Sequence, residues 1–550
     1  MPRLVSEKTA AEQLGLELSV FRHWVRIERL HPSNRIQNSL DLQENEMTEF
    51  TPTQEQQAIV EAAAHSPASL MVKAFAGCAK TSTLKLLAPG LPTRSVICLA
   101  FNKKIALDLT ATMPEGFTCA TLNSVGHKAF ASAVGRRLIV DSQKVSKLVT
   151  EWSKKLGRVS DVEWAAVRNL VVKAKSAGLV PSRFPEARRS LIPDTTEGWE
   201  EIGDSIGVTA TQDLIQAARD ILSKSIDLAR SGTIDYDDQI YMSALFFGLY
   251  PKFHTVIGDE VQDWSLLNHL QVKKMTGERL IVVGDPLQSI YAFRGADSAS
   301  MEKIRRLRPE WIDLPLTTTF RCPRVIVQRQ QRHAPGFNAA ESAPEGQVLN
   351  WQGSEGGWSL GDGQLPDAIL CRNNAPLIGL AFKLLRKRVG INVLGRDFGK
   401  SIVGLLKKLC GEEGSRPSIE CLEVVTQAME KEIRLARAAG KDEKISQISD
   451  RHESLIAVLE ETDSLGSARR WLEELFDRPG QITLSSIHKA KGLEWNTVLH
   501  LDPWRLPSKY ARLAANDGND VPLEQELNLQ YVCETRAKQT LILANLEDFK

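Results

Sequence analysis

The chain contains 550 residues, too many for one hydrophobic core, so several domains are expected. Its hydrophobic content of 42% and charged content of 25% are typical of a water-soluble folded protein, and a formal net charge of +1 excludes a globally basic nucleic-acid-coating protein. The eight cysteines include no Cys-x-x-Cys pair, which argues against zinc and favours a reducing compartment. Because residues 1–13 lack an apolar signal core and no apolar run is long enough to cross a membrane, we expect a cytoplasmic protein without a membrane partner.

Residues 1–48 are predicted to form a small α-helical module. Thr9 can cap a first short helix, Gly15 can form the turn, and Ser19 can cap a second helix that carries Arg22 and Arg26. Two short helices around a glycine turn, the second one basic, indicate a helix-turn-helix that contacts duplex DNA. The stretch TAAEQLGLELSVFRHWVRIERLHP resembles the excisionase/MerR class of this motif. A helical hairpin that docks on the main body or on a protein partner is an equally good interpretation.

A glutamine-rich stretch, FTPTQEQQ at residues 50–57, opens the main body. A glutamine amide there can read the adenine edge with one donor and one acceptor, whereas the alternative is a solvated start of a helix.

An apolar strand then leads into a loop of small residues in SLMVKAFAGCAKTSTL at residues 69–84. Strand, small-residue loop, Lys-Thr and helix follow each other in the order typical of a phosphate-binding loop.

The chemistry of such a loop assigns roles to its residues. Lys80 is expected to reach the β- and γ-phosphates of ATP, and the Thr81 hydroxyl is expected to bind Mg²⁺. Ala74 and Ala79 stand where the pattern GxxxxGK[ST] has glycine, so a strand–turn–helix that merely needs small residues is the alternative. The predicted phosphate-binding residues are Ala76, Gly77, Cys78, Ala79, Lys80 and Thr81.

Polar and aromatic residues follow later strands of the main body. The strand SVICLA at residues 95–100 ends in Phe101-Asn102, and Thr121 ends a further stretch, which fits the ligand edge of a parallel sheet. Residues 127–235 change to helical periodicity with many charges, which predicts a helical insertion. The strand 254–258 then runs into Asp259-Glu260. In nucleotide chemistry the first acid of such a pair can hold Mg²⁺, and the second can orient or deprotonate the attacking water.

DEVQD at residues 259–263, followed by GDPLQSIYAFRGAD at residues 284–297, resembles motifs II and III of the UvrD/Rep/PcrA helicases of superfamily 1. Thr319-Phe320-Arg321 resembles motif IV, ITLSSIHKAKGLEW at residues 482–495 resembles motif V, and ELNLQYVCETRAK at residues 526–538 resembles motif VI. The resemblance covers residues 50–550 in the family's order. The short second insertion makes the chain more similar to phage and F-box-type DNA helicases than to the large members of the family.

The resemblance implies an α/β fold with two tandem RecA-like P-loop domains and a helical insertion in each, plus the α-helical N-terminal module. The expected segments are 1–48 for the helix-turn-helix, 49–126 and 236–312 for domain 1A, 127–235 for insertion 1B, 313–398 and 478–550 for domain 2A, and 399–477 for the short insertion 2B.

The resemblance also implies roles for matching residues. Phe320 stacks on adenine, and Gln56, rather than Gln54, reads its edge. The residues expected to act at the phosphates and Mg²⁺ are Glu260 as general base, Gln288 as sensor of the γ-phosphate, Arg321 and Arg536 as arginine fingers, Thr81 and Asp259 as metal ligands, and Glu494 as a nucleotide contact. The expected contacts to single-stranded DNA are Phe101, Asn102, Thr121, Phe293, Arg294, His488 and Trp495. Asn123 replaces the histidine usual in the family, a departure that affects one further DNA contact.

The function implied is an ATP-driven translocase or helicase on single-stranded DNA and on junctions with duplex DNA. A 3′–5′ polarity follows from the resemblance alone, and the oligomeric state is left open. A second hypothesis is a DNA-bound regulator or complex subunit that uses a weak or silent ATPase as a switch. Ala79 favours this second hypothesis, whereas Glu260, Gln288 and both arginines favour the first.

Overall fold

The structure is a computed structural model that describes residues 51–91, 95–100, 102–157, 159–185, 187, 190–206, 208–290, 300–351, 365–438 and 444–549. The expected helix-turn-helix, Phe101, Phe293 and Arg294 lie outside these residues. The chain divides into two compact units, Met1–Gln54 and Glu55–Lys550, and the sheets and sites described below belong to the second unit. Within the described ranges, no helix is long and apolar enough to span a membrane.

Strands and helices alternate along the described residues, as an α/β fold requires. The strands are β1 (Ser69–Ala74), β2 (Val96–Ala100), β3 (Phe117–Thr121), β4 (Ile139–Val140), β5 (Thr233–Ile234), β6 (Phe253–Gly258), β7 (Thr276–Gly284), β8 (Trp311–Leu316), β9 (Thr318–Thr319), β10 (Asn338–Ala339), β11 (Gln347–Asn350), β12 (Ala368–Cys371), β13 (Ile391–Val393), β14 (Ile482–Ser486), β15 (Trp495–Leu501) and β16 (Ala537–Ala544). The helices are α1 (Gln54–His65), α2 (Lys80–Leu87), α3 (Lys103–Thr112), α4 (Leu122–Val134), α5 (Lys144–Leu156), α6 (Asp161–Ala177), α7 (Thr196–Ile206), α8 (Gln212–Arg230), α9 (Asp238–Leu245), α10 (Leu266–Met275), α11 (Ser300–Ile304), α12 (Arg324–Gln330), α13 (Asn374–Arg386), α14 (Arg396–Cys410), α15 (Ser418–Ala438), α16 (Ile445–Leu459), α17 (Leu465–Leu475), α18 (Ile487–Ala490), α19 (Lys509–Asn516) and α20 (Val521–Glu534).

The first sheet has six parallel strands in the order β3–β2–β6–β7–β1–β8. The apolar runs of β1, β2 and β7 are buried, as expected of a parallel sheet covered on both faces. Because all six strands run in one direction, the loop after β1, the acidic pair after β6 and the turn after β7 meet at one edge. β8 continues to Leu316 in this sheet, so the expected boundary after residue 312 falls inside a strand.

The second sheet also has six parallel strands, in the order β11–β16–β15–β12–β14–β13. It confirms the predicted α/β class with two tandem sheets. One continuous buried cluster contains Val72 and Val283 of the first sheet together with Ala368 and Leu541 of the second. The two sheets therefore share packed apolar surface along the face where the candidate site lies.

Each sheet is interrupted by a mainly helical segment, as predicted. The first, within residues 122–246, packs α4 to α9 around its own core, which includes Trp199 and Tyr241, and adds the short β4–β5 pair. The second comprises α14 to α17, which pack on the edge of the second sheet. The exact domain boundaries given above remain predictions.

Candidate nucleotide site between the two sheets

The predicted phosphate-binding loop has the expected order of strand, loop and helix. β1 ends at Ala74 and α2 begins at Lys80. Between them Gly77 has φ +73° and Ala79 has φ 55°. A Cβ at Gly77 would lie 2.5 Å from the Cβ of Arg321 and 2.5 Å from Oγ1 of Thr319, so only glycine fits this close approach. The loop is therefore packed against the segment that carries the first predicted arginine finger.

The acidic pair lies beside this loop. Asp259 follows β6 directly, and Glu260 has a left-handed backbone with φ 53°. Nζ of Lys80 is 3.5 Å from Oε1 of Glu260, and the Gln262 amide donates a hydrogen bond to the same carboxylate. Burial alone would raise the pKa of Glu260, but Lys80, Lys491 and the Gln262 hydrogen bond lower it to about 2. The Glu260 carboxylate is thus held ionised next to the phosphate loop.

Asp259 has the chemistry of a metal ligand. Its side chain is 2% exposed, and the backbone N–H of Glu260 donates to its Oδ1 at 3.0 Å. Burial, and then the charge of Glu260, raises the pKa of Asp259 to about 7. A divalent cation would stabilise a buried carboxylate that lies next to another negative charge, as Asp259 does. Mg²⁺ also prefers oxygen ligands. Thr81, on the first turn of α2, belongs to the same edge of the sheet. The residues present therefore fit Mg²⁺.

Both residues predicted as arginine fingers have defined partners near the phosphate loop. Arg321 pairs with Oε2 of Glu494 at 2.5 Å, and Lys538 lies 3.1 Å from Oε1 of the same carboxylate. Arg536 is 1% exposed and donates to Oε1 of Gln288 at 3.4 Å. Burial, and then the nearby Arg321, lowers the pKa of Arg536 to about 10, so it stays cationic at neutral pH. The Arg536 guanidinium thus contacts Gln288, whereas the Arg321 guanidinium is paired with Glu494.

The predicted adenine contacts differ in their exposure. The Gln56 side chain is 1% exposed and donates to Oγ1 of Thr83 at 3.1 Å. Thr83 in turn donates to the carbonyl of Ala79, so Gln56 is connected to the phosphate loop. Phe320 is 49% exposed, and its backbone N–H donates to the carbonyl of Gly77 at 3.0 Å. An exposed ring fixed to the loop by its own backbone is suited to stacking on a base.

Several contacts at the site involve polar residues to which the sequence analysis gave no role. Nζ of Lys491 is 2.6 Å from Oδ2 of Asp263 and donates to the carbonyl of Gln288 at 2.6 Å. The hydroxyl of Tyr531 accepts from the N–H of Ala76 at 2.7 Å and donates to a carboxylate oxygen of Asp285 at 3.3 Å. All four residues lie within the motif stretches quoted in the sequence analysis: Lys491, Asp263, Tyr531 and Asp285. Their position in these motifs was the signal by which the sequence could have indicated a role at the site.

Two of the predicted DNA contacts have local structural roles. Oδ1 of Asn102 accepts from the N–H of Ile105 at 2.9 Å and caps α3. Oγ1 of Thr121 accepts from the N–H of Ser124 at 3.2 Å and caps α4. Trp495 begins β15 and packs partly against the shared core, while His488 lies in α18. Asn123, at the departure from the family, donates to Oε1 of Gln239 at 3.1 Å. Contact of these residues with DNA remains a prediction.

Two parallel sheets are present, with a phosphate loop after β1 of the first and Arg536 immediately before β16 of the second. This arrangement defines a class: P-loop nucleotide hydrolases whose site lies between two α/β halves. The model of the UvrD/REP helicase N-terminal domain matches residues 53–308, and that of the UvrD-like helicase C-terminal domain matches residues 424–548. The chain belongs to this UvrD-like family of ATP-dependent DNA helicases.

Named relatives agree with the family assignment. The F-box DNA helicase protein 1 of Schizosaccharomyces pombe is 26% identical over 512 residues, which cover 89% of this chain and 57% of that protein. The F-box DNA helicase 1 of Gallus gallus is 22% identical over 571 residues, covering 94% of this chain and 51% of that protein. The ATP-dependent DNA helicase UvrD1 of Mycobacterium bovis is 25% identical over 310 residues, or 50% of this chain and 38% of that protein. The chain therefore spans about half the length of the F-box relatives.

Proposed function

We propose that this chain hydrolyses ATP to move 3′–5′ along single-stranded DNA and to open adjoining duplex. Two contacts near the Lys80–Glu260 pair carry the proposal: Arg536 donates to Gln288, and Arg321 packs against Gly77 of the phosphate loop. In this proposal the γ-phosphate contacts Lys80 and both arginines, so closure of the cleft depends on the γ-phosphate, and hydrolysis weakens it. Alternating closure and opening is what turns hydrolysis into movement.

Each group at the cleft has one task in this proposal. Lys80 binds the β- and γ-phosphates, Thr81 and Asp259 hold Mg²⁺, and Glu260 accepts a proton from the attacking water. When bound, Mg²⁺ neutralises the charge that develops on the phosphate oxygens. The other proposed contacts are Ala76, Gly77, Cys78 and Ala79 at the phosphates, Gln56 and Phe320 at adenine, Gln288, Arg321 and Arg536 at the γ-phosphate, and Glu494 beside them.

The DNA-binding part of the proposal is supported by the edge of the first sheet, where Asn102 follows β2 and Thr121 ends the neighbouring strand β3. Aromatic residues such as Phe293 would stack on any base, which makes binding independent of sequence. The other proposed contacts are Phe101, Arg294, His488 and Trp495. The relatives are named as DNA helicases, which also supports this substrate. A cytoplasmic location is supported by the free state of all eight cysteines.

Variants at the cleft test the hydrolysis step. Lys80→Ala should raise the KM for ATP strongly, whereas Glu260→Gln should leave ATP binding intact and lower DNA-stimulated turnover about 10²–10⁴-fold. Lys85→Ala is the matched control, because Lys85 is an exposed lysine on the same helix, α2. Near-normal turnover by Glu260→Gln would show that the general base is a different residue.

Strand displacement tests the direction of movement. Duplexes with either a 3′ or a 5′ single-stranded tail should be opened only from the 3′ tail, and only with ATP and Mg²⁺. Glu260→Gln should bind both substrates and open neither. Displacement from the 5′ tail alone would overturn the proposed polarity without affecting the proposed hydrolysis.

A second candidate is a DNA-bound regulator whose weak ATPase serves as a switch. The observation that favours it is the left-handed backbone of Ala79, which strains the phosphate loop. A wild-type chain that binds single-stranded DNA but hydrolyses no ATP in its presence would favour this candidate over the motor.

A further inference from the structure

The hydroxyl of Tyr531 lies between the phosphate loop and the turn that carries the γ-phosphate sensor. Tyr531 belongs to α20, next to the second sheet, but its hydroxyl accepts from the N–H of Ala76 at 2.7 Å. The same hydroxyl donates to Oδ2 of Asp285 at 3.3 Å. One oxygen from the second half of the cleft thus joins two segments of the first half that follow different strands, β1 and β7.

A chain of hydrogen bonds continues from Asp285 to the arginine finger. The Gln288 amide donates to Oδ2 of Asp285 at 2.7 Å, and Arg536 donates to Oε1 of Gln288 at 3.4 Å. Oδ2 of Asp285 therefore accepts hydrogen bonds from both the Tyr531 hydroxyl and the side-chain amide of Gln288. Both ends of the Gln288 amide are occupied, which fixes its orientation.

The residues that form this series of hydrogen bonds are all buried. Tyr531 and Asp285 are 0% exposed, Gln288 is 4% exposed and Arg536 is 1% exposed. In such surroundings a hydroxyl that serves two partners is costly to remove, because the N–H of Ala76 and the carboxylate of Asp285 each lose a partner. The Tyr531 ring is held independently, with centroids 6.0 Å from Phe337 and 6.2 Å from His333. Its hydroxyl can therefore be removed while the ring stays packed.

Other contacts from the second half converge on the same turn. Lys491 donates to the carbonyl of Gln288, and Nδ2 of Asn528 donates to the carbonyl of Ser289 at 3.4 Å. The turn at residues 285–289 is thus held by the second half at several points. Among these contacts Tyr531 is the one that also reaches the phosphate loop.

We propose that Tyr531 is a positioning residue for ATP hydrolysis: its hydroxyl couples the phosphate loop at Ala76 to Asp285, and Asp285 orients Gln288 toward the γ-phosphate. The inference rests on the proposed ATPase and extends it to a residue whose role is to orient other groups rather than to react. Because the hydroxyl contacts both partners at once, the phosphate loop and the Gln288 turn are positioned together.

Tyr531→Phe tests this coupling, with Tyr241→Phe as the matched control. Tyr241 is also 0% exposed, and its hydroxyl donates one hydrogen bond, to the carbonyl of Leu179 at 2.7 Å, inside the first helical insertion. We expect Tyr531→Phe to lower the kcat of DNA-stimulated hydrolysis about tenfold, with the KM for ATP changed less than about threefold, because Lys80 is untouched. Tyr241→Phe should lose thermal stability while keeping kcat.

A second comparison, made in the Gln288→Ala variant, distinguishes a positioning role of Tyr531 from a general loss of stability. If Tyr531 acts through Gln288, then adding Tyr531→Phe to Gln288→Ala should lower kcat by less than about twofold further. A full tenfold loss in that background, or a normal kcat in the single Tyr531→Phe variant, would overturn the inference and leave the proposed ATPase standing. Absence of hydrolysis in the wild-type chain with single-stranded DNA would instead overturn both.

Discussion

At the scale of single residues, the phosphate loop contains one built-in strain. Ala79 has φ 55° and ψ 40°, a left-handed conformation that an L-residue with a Cβ adopts at a cost of about 1 kcal/mol. The residue immediately precedes Lys80, so the strain lies where the loop turns into α2. A cost of this size corresponds to roughly fivefold in a rate or an affinity, which slows an ATPase without abolishing it.

Ala79→Gly should raise the kcat/KM for ATP by up to about fivefold, because glycine adopts this backbone conformation without penalty. Steady-state ATPase rates with single-stranded DNA measure the effect. Ala74→Gly is the matched control, since Ala74 ends β1 in extended conformation and has no strain to relieve. A lower kcat/KM in Ala79→Gly would mean that the loop has adapted to the methyl group.

His500 is a buried histidine on β15 that makes the fold sensitive to acid. It is 1% exposed, and neither ring nitrogen has a hydrogen-bond partner among the described residues. Burial lowers its pKa to about 4, against opposing effects of Glu534 and Asp502. The unfolded chain, with a pKa of about 6.5, therefore binds this proton first, so stability is full above about pH 6.5 and falls as the pH drops toward 4.

His500→Leu should make the free energy of unfolding less dependent on pH. Between pH 7 and pH 5 the wild-type chain should lose about 2 kcal/mol through this histidine, and the variant should not. Urea unfolding at the two pH values measures both. His65→Leu, at an exposed histidine that ends α1, should keep the wild-type pH dependence. Equal losses in wild type and His500→Leu would contradict the assignment.

At the scale of elements, the first helical insertion is held together by a buried ionic cluster. Nζ of Lys175 on α6 lies 2.6 Å from Asp235 and 2.8 Å from Asp238, and Lys144 on α5 also pairs with Asp238. Two lysines and two aspartates balance in charge and join α5, α6 and the start of α9. A balanced cluster adds little net stability over apolar packing, but loss of one member leaves an uncompensated buried charge.

Lys175→Met should therefore lower the free energy of unfolding by about 3–5 kcal/mol. Combining it with Asp235→Asn restores the charge balance and should recover a large part of the loss. Lys147→Met is the control, because the pair of Lys147 with Asp141 is exposed, with 64% of the lysine side chain accessible, and should cost less than about 1 kcal/mol. A double variant no more stable than Lys175→Met would argue against charge balance as the cause.

At the scale of the whole molecule, the candidate nucleotide site draws its residues from both halves of the described chain. Arg321, Tyr531 and Arg536 come from segments outside the first sheet, whereas Lys80, Glu260 and Gln288 follow its strands. The two sheets share one buried cluster, so the site and the joint between the halves are stabilised together. For residues 1–48, which lie outside the described residues, we propose a targeting role.

Deletion of residues 1–48 should leave DNA-stimulated ATPase unchanged and abolish any preference for particular duplex sequences or junctions. Binding to duplex and single-stranded probes, measured for the full chain and the deletion, separates the two activities. The double variant Arg22→Ala and Arg26→Ala should lose the same preference, because a recognition helix needs its basic side chains at the groove. Unchanged duplex binding in that variant would favour docking on the main body or on a protein partner.

The sequence by itself determined the class of the fold and which residue types would stand at the candidate site. Apolar runs such as residues 70–72 and 280–283 must be buried. The residue types that follow such strands, such as Lys80, Asp259 and Glu260, limit the chemistry that is possible there. These signals are local, because each depends on a few neighbouring residues. The helical character of residues 127–235 could be predicted for the same reason, since its periodicity and charges are local properties.

Only the tertiary structure decided which distant groups meet. Tyr531 reaches Ala76 across 455 positions of sequence, and Arg536 reaches Gln288 across 248. The left-handed backbone of Ala79, with φ 55°, is likewise a property that the structure supplies. Such contacts depend on the packing of the two sheets, which no short stretch of sequence encodes. The residue types at the site were therefore readable in advance, but their coupling through Tyr531 was not.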